Sequence, residues 1–257
     1  MIVKSDRLKV SASALKTYTQ CPRKYYFTYI EKLPKKKWPH IELGNFLHDV
    51  LEEFHNLLRD APKPDREWGA ALRDICVAQI HKYELTKEQR VTAKEMLDAY
   101  LAKLRSDGMP NVLFNEKEFS MDLPENILLR GFIDRIDQEG DGLHIRDYKS
   151  GSSRYLDAFQ LTVYALAAFK AYPDLTKVKG SYIILKEASK IIPYSISKTD
   201  TERCVAEIVD IAGAIRSDQT WETRPSKLCS FCDFSDACPA TKSSSSNEWG
   251  SAVELPK

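Results

Sequence analysis

The segment from Ile127 to Lys149 constrains the fold more than any other. Two β-prone runs flank Gly140-Asp141, and glycine suits the first central position of a two-residue type II′ hairpin turn. Pairing the runs about that turn sets Ile136 opposite Ile145 and Asp134 opposite Asp147. Side chains alternate faces along a strand. Phe132, Asp134 and Ile136 therefore share a face with Ile145, Asp147 and Lys149. A looser turn over residues 139–142 keeps the same faces. Directly opposed Cβ atoms lie ~4.5–5.5 Å apart. Two carboxylates that close, on an otherwise apolar face, repel each other and each favours protonation unless a cation lies between them. A hard, oxygen-seeking cation such as Mg²⁺ or Mn²⁺ resolves the conflict. Lys149, two positions after Asp147, points the same way, where an ammonium can polarise a water or stabilise a phosphate oxygen. Metal, water and cation together describe a site for phosphodiester hydrolysis. The string D-x-K alone is common, and on an ordinary surface hairpin it is only a pair of solvated charges.

The surrounding pattern is helices first, then sheet. Ser11 and Ser13 are good N-caps for a helical stretch over 11–31, broken at Cys21-Pro22. Pro22 suits the first position of a second helix. A basic loop over 32–39 carries Lys32, Lys35, Lys36 and Lys37 beside Trp38, read first as a solvated loop and second as a phosphate contact. Residues 41–59 show a helical apolar period through Phe46, Leu47, Val50, Leu51, Phe54 and Leu58. Further helices are expected over 66–83 and 88–106. Strands follow at 112–122, 127–137 and 143–149, then a helix over 157–172. Strands at 178–185 and 190–197 and a helix over 201–217 complete the core. Residues 221–239 read as a loop, and the tail from 241 to 257, serine-rich at Ser243 to Ser246, reads as disordered. The expected architecture is a mixed α/β core with an N-terminal helical insertion and a cysteine-bearing end.

Two more pairs stand four residues apart on predicted helices, and so share a face. Gly44 allows a close backbone approach beside His48, a possible metal ligand. Gln160 and Tyr164 follow the hairpin. They are placed either to meet the substrate or the lysine, or, for Tyr164, to pack in the core.

In order along the chain, GNFLH (44–48), GFIDRID (131–137), IRDYKSG (145–151) and QLTVY (160–164) resemble the PD-(D/E)XK nuclease superfamily, in its RecB-type branch. The likeness covers roughly residues 9–240. It implies a restriction-endonuclease-like central mixed sheet flanked by helices. Asp134 and Asp147 would bind the metal with His48 and the Tyr148 backbone carbonyl. Lys149 would be the catalytic lysine, and Gln160 and Tyr164 would belong to the motif that follows it. The family also places a glutamate on the strand before the hairpin, at Glu116 or Glu118. Asp147 stands where many members have Glu, and Ile133 where others have proline, both within the family's range.

Six cysteines are present, and a reducing compartment disfavours structural disulfides. Cys76 and Cys204 fall inside predicted helices and read as small core residues. Cys229, Cys232 and Cys238 cluster, and Cys21, which also precedes a proline, is the best fourth ligand. Four thiolates can hold zinc or an iron–sulfur cluster. The uneven spacing resembles the 4Fe–4S staple of AddB-type nuclease domains and CRISPR adaptation exonucleases. Such a tie between residue 21 and the region near 230 would restrict the unfolded chain by on the order of 4–5 kcal/mol.

These observations imply one nuclease domain over 1–240: a helical part (41–110), a catalytic sheet core (111–200) and cluster-binding ends at 21 and 229–238. The expected activity is metal-dependent DNA hydrolysis, and the resemblance implies an exonuclease mode on single-stranded ends, in repair, recombination or CRISPR adaptation. Two rival readings keep the scaffold: a non-catalytic DNA-binding or assembly subunit, and an iron–sulfur redox sensor. The net charge of +1 does not distinguish them. No phosphate-binding G-x-x-x-x-G-K-[ST] motif is present, so a helicase, or a CRISPR integrase, would be a separate partner chain. No apolar run approaches the ~18 residues of a membrane span, and the N-terminus lacks the apolar stretch of a secretory signal. A cytoplasmic location is expected.

Overall fold

The structure, a computed structural model, describes residues 7–242. In chain order the elements are β1 (Leu8–Val10), α1 (Ala12–Gln20), α2 (Pro22–Tyr25) with a π-turn over Tyr26–Ile30, α3 (Pro39–Asp60), α4 (Asp65–Gln79) and α5 (Lys87–Asp107). Then come β2 (Asn111–Leu123), β3 (Ile127–Glu139), β4 (Gly142–Lys149), α6 (Phe159–Ala171), β5 (Lys177–Ile184), β6 (Lys190–Ser197), α7 (Lys198–Ser217) and α8 (Pro239–Lys242). Each expected helix and strand has its counterpart, with ends displaced by a few residues. The short strand β1 was not anticipated: three residues are too few for a period to show. The loop expected over 221–239 contains a 3₁₀ turn at Lys227–Phe231 and the start of α8. Beyond Lys242, the tail expected from 241 lies outside the described residues.

The chain divides into two compact units. The first, Met1–Ala12 with Lys37–Val209, holds a six-stranded mixed sheet flanked by helices, ordered β1-β3-β4-β5-β6 with β2 on the other edge of β3. The hairpin adopts the expected register, Ile136 opposite Ile145 and Glu139 opposite Gly142. Gly140 takes φ +59 and Asp141 does not share it, as a type II′ turn requires. β4 and β5 run parallel, so their connection must cross over, and α6 provides it. That helix buries Leu161, Val163, Ala165 and Ala168, which suits packing against a sheet. Pro193 is tolerated in β6 because β6 is an edge strand.

α3, α4 and α5 form the helical part. The apolar stripe of α3, from Leu43 through Phe54 to Leu58, packs with Trp68, Leu72 and Ile75 of α4 and Met96, Leu97 and Leu101 of α5. Phe46, Leu47, Val50, Leu51 and Phe54 are essentially fully buried. A capping box, Thr86 with Gln89, starts α5. Cys76 packs against this cluster and Cys204 is buried, as expected of core thiols.

The second unit, Ser13–Lys36 with Asp210–Lys257, is tied by backbone and aromatic contacts. Trp221 stacks on Tyr25 at 6.0 Å and meets Tyr18 edge-on at 6.2 Å. Phe27 packs on Phe234. Arg23 Nη2 donates to the Thr220 carbonyl at 3.0 Å, and Tyr18 Oη donates to Asp218 at 2.9 Å.

Candidate active site

The site lies where β3 loses a neighbour. One edge of β3 pairs with β2 along nearly its whole length. The other edge is shared: β1 takes Ile127–Leu129 and β4 takes Arg135–Glu139. Between those pairings the strands fork, and Asp134 sits at the fork. Its Oδ2 accepts the Tyr148 backbone N–H at 2.8 Å, replacing a ladder bond with a charge-assisted one.

Opposite Asp134 on β2 stands Glu116. The flanking pairs Asn115–Arg135 and Lys117–Ile133 fix that register. Glu116 has φ +43, a left-handed conformation costly for a non-glycine residue and typical of functional sites. Glu118 is exposed whereas Glu116 is half-buried. Of the two glutamates the sequence left open, only Glu116 reaches the carboxylates. His48 Nδ1 lies 3.4 Å from Asp134 Oδ2, and His48 Nε2 lies 3.0 Å from the Tyr148 carbonyl. Among the described residues, His48, Glu116 and Asp134 each offer a ligand atom within 4.8 Å of the others'. They line a cleft of about 530 Å³ with Gly44, Asn45, Asp49 and Ser150. The close approach expected at Gly44 is to Ser150 Oγ, which a Cβ at residue 44 would meet at 3.0 Å.

Asp147 stands outside that 4.8 Å set, because its carboxylate pairs with the lysine. Lys149 Nζ lies 2.5 Å from Asp147 Oδ2 as an ion pair, while Asp147 Oδ1 is buried without a hydrogen-bond partner. Lys149 donates to Gln160 Oε1 at 3.0 Å, and Gln160 Nε2 donates to Tyr164 Oη at 2.7 Å. Gln160 thus meets the lysine, one of the two roles foreseen for it. Tyr164 also packs edge-on against Phe119, so it serves the core as well. Sequence reasoning missed Tyr182. It is paired in register with Asp147 on β5, and its ring lies 5.3 Å from Lys149 Nζ. A buried tyrosine in a central strand carries no signal in sequence beyond β propensity.

The carboxyl groups are held uncomfortably. Burial pushes Asp147 up to about 7, and the Asp134 charge adds to it. Burial raises Asp134 to about 6, against the lowering effect of Lys149. Glu116 rises to about 7 through burial and then the Asp134 charge. Burial pushes His48 down, favouring the neutral imidazole that ligates metals. Three crowded carboxyls, a buried carboxylate oxygen without a partner and a neutral imidazole are a donor set that fits a divalent cation.

A raised carboxyl pKa binds its proton more tightly folded than unfolded, so its stabilising contribution is lost as pH rises from about 4 to about 7. In EDTA, Asp147→Asn is therefore expected to melt several degrees above the wild type at pH 8, with the gap closing at pH 5. Thermal scans at both pH values check this. An equal gap at both would show that Asp147 is not raised.

Tyr148 links the fork to a second buried cluster. Its hydroxyl accepts from Arg135 Nη1 at 2.6 Å. The same nitrogen reaches Tyr100 Oη and His55 Nε2, each at 2.8 Å. Arg135 Nε lies 2.9 Å from Asp137 Oδ1, and Asp137 Oδ2 lies 3.1 Å from Arg146 Nε. Arg135, Asp137 and His55 are all essentially buried.

The four cysteines expected to act together all fall in the second unit. Cys21, Cys229, Cys232 and Cys238 line one cavity of about 290 Å³. Burial raises the Cys232 thiol, and Cys229 Sγ accepts the Ser226 backbone N–H at 3.3 Å. Among the described residues no three of these sulfurs come within 4.8 Å of one another.

Comparison with known proteins agrees with this geometry. The chain is 26% identical to the Gene 69 protein of Mycobacterium phage D29, over 90% of its own length and 97% of the phage protein. It is 28% identical over 189 residues to an ATP-dependent helicase/deoxyribonuclease subunit of Clostridium perfringens, of which it matches only 16%. The fold is similar to the crystal structure of a candidate exonuclease from Eubacterium rectale, with TM-score 0.52 and 12% identity over 98% of this chain and 94% of that one. The profile of the PD-(D/E)XK nuclease superfamily matches residues 9–239, and the chain belongs to that superfamily.

Proposed function

We propose that this chain is a Mg²⁺- or Mn²⁺-dependent deoxyribonuclease, acting as an exonuclease on single-stranded ends. The observation that carries the reading is the fork itself, with Asp134, Glu116 and His48 around one point and Asp147–Lys149 beside it. Asp134, Glu116 and His48 would hold the cation, with Asp147 and the Tyr148 carbonyl completing its shell. When bound, the cation would supply charge stabilisation at the phosphate and lower the pKa of a water. Lys149, held by Asp147 and Gln160, presents a fixed positive charge toward the scissile phosphate. Tyr148 keeps Asp134 in place through its backbone N–H, and burial around Tyr164 and Tyr182 limits water. The exonuclease mode is supported by likeness to the RecB branch. A separate helicase partner fits the naming of the Clostridium perfringens relative, which joins helicase and deoxyribonuclease. End-labelled single- and double-stranded DNA, incubated with Mn²⁺ or EDTA, tests the reading. Cleavage in Mn²⁺ and none in EDTA is expected; no cleavage of any DNA in Mn²⁺ would sink it.

We further propose a 4Fe–4S cluster on Cys21, Cys229, Cys232 and Cys238. Four thiols lining one cavity, at the uneven sequence spacing that resembles the 4Fe–4S staple of AddB-type nuclease domains, support the cluster over zinc. Its role here would be a staple across the second unit. The purified protein is expected to be brown, with iron and sulfide in equal amounts, and Cys21→Ser to lose the colour and melt lower. A colourless protein with stoichiometric zinc would overturn the assignment.

A further inference from the structure

We propose that Lys9, Arg130 and Phe132 form a track that leads a single DNA strand to the carboxylates, with a base stacked on Phe132. This rests on the nuclease reading above and extends it to the residues that hold the substrate.

The argument begins with strand alternation. Leu128, Arg130, Phe132 and Asp134 share one face of β3. Lys9 pairs with Leu128 across the parallel β1–β3 contact, so it lies on that face too. Arg130 and Lys9 are exposed, and among the described residues neither side chain has a hydrogen-bond or ion-pair partner. Phe132 is 53% exposed, a costly placement for a phenyl ring in a strand whose other face, Leu129 and Ile133, is buried. A lone exposed Phe is ordinary. This one stands a single strand step, about 7 Å, from Asp134, with a cation on its far side.

The backbone supports the same reading. The β3 edge between Leu129 and Arg135 pairs with neither β1 nor β4, so that edge is open beside the exposed Arg130 and Phe132. Unspecific single-strand recognition combines cations that follow the phosphates with an aromatic ring on which a base stacks. Lys9, Arg130 and Phe132 supply both in line, and the line ends at the carboxylate that would hold the metal. Two opposing charges border this stretch on β2: Glu118, exposed and paired across from Phe132, and Asp122, exposed, paired across from Leu128 and held in an ion pair by Arg7. A duplex keeps its bases stacked inside and offers no face to Phe132, so the track favours an unpaired strand.

The test measures binding, not cleavage. Fluorescence anisotropy of the full chain in EDTA is read with a labelled thymidine oligonucleotide and with an abasic strand of equal length. Phe132→Ala is expected to weaken binding of the thymidine strand about tenfold and leave the abasic strand unchanged. Phe132→Trp should restore it. Arg130→Glu should weaken both strands and flatten their salt dependence. Equal losses on both strands with Phe132→Ala, no loss on either, or no single-strand binding by the wild type would each overturn the proposal. So would a dimer that Phe132→Ala dissolves while DNA binding stays intact. Phe132 is exposed, so the variant should fold, and an unchanged melting curve confirms it. Failure of the nuclease reading is seen separately, in the Mn²⁺ cleavage assay.

Discussion

Lys149→Ala is expected to lower DNA cleavage by about 10²–10³-fold, the cost typical of removing one preorganised charge-stabilising group, while DNA binding changes little. The lysine is fixed by three neighbours: Asp147 at 2.5 Å, Gln160 at 3.0 Å and the Tyr182 ring at 5.3 Å. Little reorganisation remains to be done when charge develops on the phosphate. Asp147→Ala should be at least as severe. It leaves Lys149 without its counter-ion and removes the most deeply buried carboxylate of the site. Gln160→Ala should be milder, since it loosens the lysine without removing it. Single-turnover cleavage beside anisotropy binding separates these effects. Full cleavage by Lys149→Ala would remove the central claim.

Arg135→Ala is expected to destabilise the protein by about 3–5 kcal/mol, the usual result of breaking a buried ion pair from one side. The guanidinium is enclosed by Asp137, Tyr100, Tyr148 and His55. Its removal strands Asp137 with only Arg146, and it opens a cavity behind Tyr148. Since Tyr148 presents its N–H to Asp134 and its carbonyl to His48, metal affinity should fall as well. Chemical denaturation and Mn²⁺ titration measure the two consequences. A variant as stable as the wild type would show that the cluster is not an energetic unit.

The hairpin shows what was legible without coordinates. A two-residue turn and a side-chain period of two fix the register from Glu139–Gly142 to Arg135–Arg146, so Asp147 and Lys149 sharing one face follows from local chemistry. The ladder ends before Asp134 and Asp147 pair as expected, and Asp134 accepts the Tyr148 N–H instead. His48 and Gln160 were legible in the same way, as members of helices whose period is plain. Cys21 with Cys229, Cys232 and Cys238 could be grouped by spacing, and the structure places all four on one cavity. Arg135 was in plain view within GFIDRID yet drew no role. A charged residue on the buried side of a strand looks, in sequence, like one facing water.

By itself the sequence determined the order of elements, the hairpin register and the charged residues on its candidate site face, because each depends on neighbours close along the chain. The tertiary structure alone decided which glutamate joins the site. Glu116 and Glu118 have the same parity, and only the backbone turn at φ +43 and the overlying α3 set them apart. It also decided that β1 and β4 divide one edge of β3 and so open the fork, and that Tyr182 lies beneath Lys149. Those are contacts between residues far apart in sequence, set by which surfaces can be buried together, and no local period records them.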